Sequence, residues 1–185
     1  MKLFRHMTFW VWSVLLLLPA VSTASAQAET IRILALGASN TNGKGLMSSA
    51  DAWPAQLEKM LRAKGYDVSI SVNAVDGQTS GQILDRGQSA IAPGTKVVVY
   101  DSGGDNDRLK GFSPSQTHAN VAQIAAMIRA HGAVPIRADY IRVVGPQHSN
   151  SPNYQPDGIH LTAASHARVA ASLMPQVIAA IGKRK

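Results

Sequence analysis

Two short stretches far apart in the chain carry side chains that could do chemistry together: Gly37-Ala38-Ser39-Asn40 and Asp157-Gly158-Ile159-His160. A serine hydroxyl becomes a useful nucleophile when a neutral imidazole takes its proton, and the imidazole can do so when an acceptor holds its other nitrogen. Ser39, His160 and Asp157 are the three parts of that arrangement. They point to acyl transfer through a covalent serine intermediate.

The elements that must position them follow an alternating pattern. Ile31 to Leu36 is a short apolar run ending at Gly37, and Asp51 to Lys64 has helical spacing at Leu57, Met60 and Leu61 before Gly65. Tyr66 to Val72 alternates as a strand, Thr79 to Ile91 reads as helix despite Gly87, and Lys96 to Tyr100 is an apolar strand after Pro93-Gly94. Ser113 before Pro114 caps a helix that ends near Gly132, Val134 to Ala138 is a further strand, and Thr162 caps a last helix to about Ile181. Alternation of this kind predicts an α/β fold, a parallel sheet with helices on both faces, because parallel neighbours need crossover connections. Ligands in such folds bind beyond the carboxyl ends of the strands, where the strand order reverses. A sheet ordered 2-1-3-4 puts Ser39, after the first strand, between Gly77, after the second, and Asn106, after the third.

Four blocks in order, ILALGASNTNGKG, NAVDGQTSGQIL, YDSGGDNDRLKG and DGIHLT, make most of the chain after residue 28 similar to the SGNH (GDSL-type) hydrolases. The resemblance is to the small periplasmic thioesterase, arylesterase and lysophospholipase branch. It implies a three-layer α/β/α flavodoxin-like sandwich with four or five parallel strands in the order 2-1-3-4(-5). It also implies Ser39 as nucleophile, with Asp157 and His160 completing the triad. The oxyanion hole is then the backbone N–H of Ser39 and of Gly77 together with the side-chain amide of Asn106, the asparagine of Gly104-Asp105-Asn106-Asp107. The chain departs from the family twice: Ala38 stands where the first block usually has Asp, and only about 18 residues separate Ala138 from Asp157. No cofactor and no metal is implied, and the expected partner is a small-molecule ester: an acyl or aryl ester, a thioester or a lysophospholipid. A carbohydrate O-acetyl esterase and a catalytically weakened ligand-binding protein on the same fold are the alternatives.

Plainer readings of the same residues stay open at this stage. Ser39 could be a helix N-cap and Gly77 an ordinary turn glycine. Asn106 lies in an acidic stretch, Asp101 to Asp107, whose carboxylate spacing misses the EF-hand pattern. Asp157 and His160 could bind a metal, although no second histidine stands at ligand spacing. Gly37 to Lys44 has five residues between its glycines where a phosphate loop has four, and Ser39 lacks the second glycine of a nucleophile elbow. His118, His131, His148 and His166 have no evident partners and are expected at surface or capping positions.

Composition sets the cellular context. Lys2 and Arg5 precede an apolar run from Phe9 to Leu18, followed by Pro19 and by Ala24-Ser25-Ala26 and Ala26-Gln27-Ala28, the layout of a secretory signal peptide. The run is shorter than the roughly 20 residues a membrane span needs. We therefore expect a signal peptide at 1–28 and a single domain at 29–185, periplasmic or secreted, with no stable membrane anchor after cleavage. With no cysteine in the sequence, disulfides and thiolate metal sites are excluded. Of the formal charge of +7, Lys2 and Arg5 belong to the leader and Lys183, Arg184 and Lys185 to the terminus, which leaves +2 on the body. That is too little to predict a nucleic-acid partner. Oligomeric state is not encoded in any of these features.

Overall fold

Along β1 (Ile31–Gly37) successive side chains point to opposite faces of the sheet, so Ile33 and Ala35 enter one core while Leu34 and Leu36 enter another. A strand apolar on both faces must be covered on both, and here helices cover each side. The computed structural model describes residues 29–147 and 151–182. The expected signal peptide, His148 and the basic terminus lie outside the described residues.

After β1 come α1 (Ser39–Asn42), a 3₁₀ turn at Ser49–Asp51 and α2 (Trp53–Ala63), then β2 (Val68–Ala74) and α3 (Ser80–Ala90). β3 (Thr95–Tyr100), α4 (Gly104–Leu109), α5 (Pro114–Ala130), β4 (Val134–Arg137), α6 (Tyr140–Val144) and α7 (Ala163–Ile181) complete the order. The four strands are parallel, as the alternation predicts, and ordered β2-β1-β3-β4, the order that the family resemblance implies. Among the described residues there is no fifth strand; the short connection after β4 forms one turn of helix instead.

Helices α2 and α7 pack together on one face through Trp53, Leu57, Leu61, Val169, Leu173 and Val177. On the other face α3 and α5 contribute Ile83, Ile124, Met127 and Ile128. Gly87 sits inside α3 because of this packing: a Cβ there would stand 2.5 Å from the Met127 methyl and 3.2 Å from Leu36. The helix gives up about 1 kcal/mol of propensity relative to alanine and gains a close approach to α5 and β1. α3 and α5 start in complete capping boxes, Thr79 with Gln82 and Ser113 with Gln116, and Thr162 caps α7.

The expectation for the unpartnered histidines requires one correction. His166 is fully buried on the inner face of α7, in line with Val169, Ala170 and Leu173, and its Nδ1 accepts the Trp53 backbone N–H at 3.1 Å. Burial lowers its pKa to about 4, with Asp51 pulling weakly the other way. His131 does cap α5, its Nδ1 lying 3.0 Å from the Met127 carbonyl.

Candidate active site

In register, Leu36 of β1 stands beside Tyr100 of β3, which stands beside Arg137 of β4. The chain leaves all three strands at nearly one level, and the topological reversal falls at β1. Ser39 is the first residue of α1, one turn of helix that ends at Gly43 in the left-handed conformation. It is largely buried and lines a pocket of about 190 Å³ together with Asp101, Asp105, Asn106, Arg137 and Tyr140. Ile159 also reaches the lining, whereas Gly77, Asp157 and His160 lie outside it.

Asp157 and His160 form a pair, with His160 Nδ1 and Asp157 Oδ2 2.5 Å apart. The other carboxylate oxygen accepts the backbone N–H of Ile159 at 2.9 Å and of His160 at 3.0 Å, which folds the Asp-x-x-His segment into a tight turn. Partial desolvation pushes the Asp157 carboxyl up, but the His160 ring and the two N–H groups outweigh it and hold the pKa at about 2. An ionised Asp157 fixes the proton of a neutral imidazole on Nδ1, so the lone pair sits on Nε2.

The link from this turn to Ser39 is Asn40. Its Oδ1 accepts the N–H of Leu161 at 2.9 Å and its Nδ2 donates to the carbonyl of Ile159 at 3.3 Å. The residue after Ser39 therefore grips the main chain on both sides of His160. A second tie runs from Thr41 Oγ1 to the Tyr140 hydroxyl at 3.1 Å, which also accepts Trp53 Nε1–H at 3.1 Å. The one-turn helix carrying Ser39 is thus anchored to the C-terminal segment and to the α2–α6 interface.

On the other side, Asn106 Nδ2 donates to the Gln78 carbonyl at 2.8 Å, next to Gly77, and so joins the second and third blocks. One amide hydrogen of Asn106 remains for a ligand. Gly77 adopts a φ of +73°, and its carbonyl accepts Lys110 Nζ at 2.9 Å. Asp107 fixes the orientation of α4: Oδ1 accepts the Ser80 N–H at 2.8 Å, and Oδ2 accepts the Ser80 hydroxyl at 2.5 Å and the Thr117 hydroxyl at 2.8 Å. Arg86 of α3 donates to the carbonyls of Asn73 and Gly37 and to the Gln78 side chain at 2.8–2.9 Å, clamping the ends of β1 and β2 to the second block.

Asn40, Asp107 and Arg86 were not singled out from sequence. Asn40 and Asp107 each adjoin a residue that was, and that adjacency was the available signal; Arg86 carries none, because its partners lie on other elements. Among the described residues no three His, Cys, Asp or Glu side chains are grouped to hold a metal ion, and no helix is long and apolar enough to cross a membrane.

Comparison with known proteins places this geometry among relatives. The model of the GDSL-like lipase/acylhydrolase family matches residues 35–171. Esterase TesA of Pseudomonas aeruginosa is 32% identical over 164 residues, covering 86% of this chain and 76% of that protein. Thioesterase 1/protease 1/lysophospholipase L1 of Escherichia coli K12 is 34% identical over 121 residues, covering 65% of this chain and 55% of its own length. A crystal structure of TesA superposes with a TM-score of 0.69 at 26% identity, covering 79% of this chain and 97% of that one.

Proposed function

The chain belongs to the GDSL-like lipase/acylhydrolase family and is an SGNH-type serine ester hydrolase, and on that premise we propose that turnover runs through an acyl-Ser39 intermediate with His160 as base and Asp157 as its orienting carboxylate. His160 Nε2 takes the Ser39 proton as Oγ attacks the ester carbonyl, then returns it to the departing alcohol or thiol. Water repeats the sequence on the acyl-enzyme and releases the acid. Asp157 stays ionised throughout, consistent with its low pKa. The negative oxygen of each tetrahedral intermediate is met by the N–H of Ser39 and Gly77 and by the Asn106 amide, each donor contributing about 2.7–4 kcal/mol.

The observation that carries this reading is the double grip of Asn40 on the residues flanking His160, since it couples base and nucleophile through one rigid side chain. Small acyl or aryl esters, thioesters or lysophospholipids are the proposed substrates. The polar pocket wall, with Asp101, Asp105, Thr117, Arg137 and Gln147, favours short acyl groups and supports a second reading, deacetylation of O-acetylated carbohydrate. Export to the periplasm or medium is proposed from the leader at 1–28, with residues 29–185 as the mature domain.

A p-nitrophenyl ester series from acetate to decanoate, run beside an acetylated xylo-oligosaccharide, tests these readings. Turnover falling with chain length is expected. Absence of turnover on every ester, with no covalent labelling of Ser39 by a phosphonate, would leave a ligand-binding protein on this fold.

A further inference from the structure

The turn before Ser39 has its own hydrogen-bonding problem. Where β1 gives way to α1, the first N–H groups of the helix lack partners within it, and the side chain at 38 is a methyl group that can accept nothing. The acceptor for the Ala38 N–H comes from another strand: Asp101 Oδ2, just past the end of β3, at 3.4 Å. The second oxygen, Oδ1, accepts the N–H of Gly103 at 3.0 Å, and Gly103 is the N-cap of α4, the helix that carries Asn106. The backbone N–H of Asp101 donates to the carbonyl of Leu36 at 2.9 Å. One residue therefore brackets Gly37, holding the peptide before it and the peptide after it.

Gly37 permits this bracket. A Cβ at position 37 would collide with the Thr41 side chain of α1 and stand 2.7 Å from the Asp101 Cβ, so a side chain there would force α1 and the end of β3 apart. The carboxylate is half-buried in the pocket wall and crowded by protein, which raises its pKa; the N–H groups of Gly103 and Ala38 oppose that rise, the nearby Asp105 adds to it and Arg137 opposes it. Placing a carboxylate in such surroundings is costly unless its oxygens are engaged, and both are engaged with the two loops that carry the reacting groups.

We propose that Asp101 is a positioning residue of the hydrolase, its carboxylate locking the Ser39 turn and the Asn106 helix into one register and accepting from β3 the N–H that the methyl group at position 38 cannot serve. The proposal rests on the acyl-Ser39 reading for its effect on rate, and on the three hydrogen bonds for its geometry. It assigns the function to a place in the fold that either strand end can reach. Ala38 lines the same pocket, so a carboxylate introduced there starts beside the one it would replace.

The test is a double-substitution cycle in the exported protein, using Asp101→Asn, Ala38→Asp and both together, with kcat and KM on p-nitrophenyl acetate and amide hydrogen exchange at Ala38 and Gly103. Asp101→Asn is expected to lower kcat about 10- to 100-fold, the scale of a displaced reacting group, with KM held within about threefold. Ala38→Asp alone should also slow the enzyme, because a further carboxylate then joins Asp101 and Asp105 in one pocket wall. Combined with Asp101→Asn it should recover at least about tenfold in kcat, an exchange of roles that a merely structural aspartate would not show. Exchange at both amides should quicken by about tenfold in Asp101→Asn, as expected for one lost hydrogen bond. An Asp101→Asn enzyme with wild-type kcat, or a double variant no faster than Asp101→Asn, would overturn the proposal. Because exchange needs no turnover, unchanged protection at Ala38 and Gly103 would overturn the tie itself, whereas a wild type without esterase activity would overturn the acyl-Ser39 reading instead.

Discussion

Asn40 and Leu161 are 121 positions apart in sequence and meet at 2.9 Å, side-chain oxygen to backbone N–H. The same amide donates to Ile159, so the backbone on either side of His160 is held by the residue following Ser39.

Asn40→Ala removes both contacts and leaves the Leu161 N–H and the Ile159 carbonyl without their partner. Stability should fall by about 1–3 kcal/mol, the usual cost of an orphaned buried group. Activity should fall further than stability alone explains, by about 10-fold or more in kcat, because the base is no longer aligned. Urea unfolding and steady-state kinetics on one preparation check both; a variant with wild-type kcat would show that the grip is only structural.

Ser39→Ala is expected to abolish turnover without altering the melting curve, with a loss approaching the roughly 10⁶-fold seen when a triad nucleophile is removed. Retention of more than about a hundredth of the wild-type rate would assign the nucleophile elsewhere. Asp157→Asn should cost about 10⁴-fold in kcat, since a neutral amide no longer selects the Nδ1–H tautomer. Circular dichroism and p-nitrophenyl acetate hydrolysis suffice for both variants.

Asn106→Ala should lower kcat about 10²–10³-fold with little change in KM, the pattern of a donor that matters once negative charge develops on the carbonyl oxygen. Kinetics over a full substrate range separate the two parameters. Equal kcat in variant and wild type would remove Asn106 from the oxyanion site.

His166 makes a prediction about stability against pH. Its folded pKa is about 4, while an unfolded histidine titrates near about 6.5. Between those values the unfolded chain binds a proton that the folded chain refuses, so acidification through that window favours unfolding. From pH 7 to pH 5 the loss should be about 2 kcal/mol by linkage. His166→Gln cannot titrate and should flatten this part of the profile in urea melts; an unchanged slope would place the acid sensitivity in other groups.

Much of the scaffold was legible because its signals are local. Ser113-Pro114 with Gln116, Thr79 with Gln82, and the apolar runs of β1 and β3 each announce an element within a few residues. The one-turn helices α1, α4 and α6 are too short to show a period, and none was anticipated. Ser39, Asp157 and His160 were readable as candidates because they stand in compact blocks. Asp101 and Asn40 find their partners 63 and 119 positions away, and only the folded sheet brings those pairs together. His166 was a missed periodic signal: with Val169, Ala170 and Leu173 it occupies one apolar helical stripe, and a polar residue in that stripe marks a buried imidazole.

The connection from β4 to α7 has two tasks in this hydrolase. Among the described residues no strand follows β4, and this stretch supplies both one pocket wall, through Tyr140, Ile141 and Ile159, and the Asp157–His160 pair. Ile159 lines the pocket and is the immediate neighbour of His160, so a substitution that reshapes the wall there also disturbs the pair. On the opposite wall His118 and Val121 of α5 lie away from that stretch, whereas Thr117 beside them bonds Asp107 and helps to fix α4. Selection for new acyl or alcohol preferences can move along that helix while the catalytic turn stays untouched, and a library aimed at specificity belongs there.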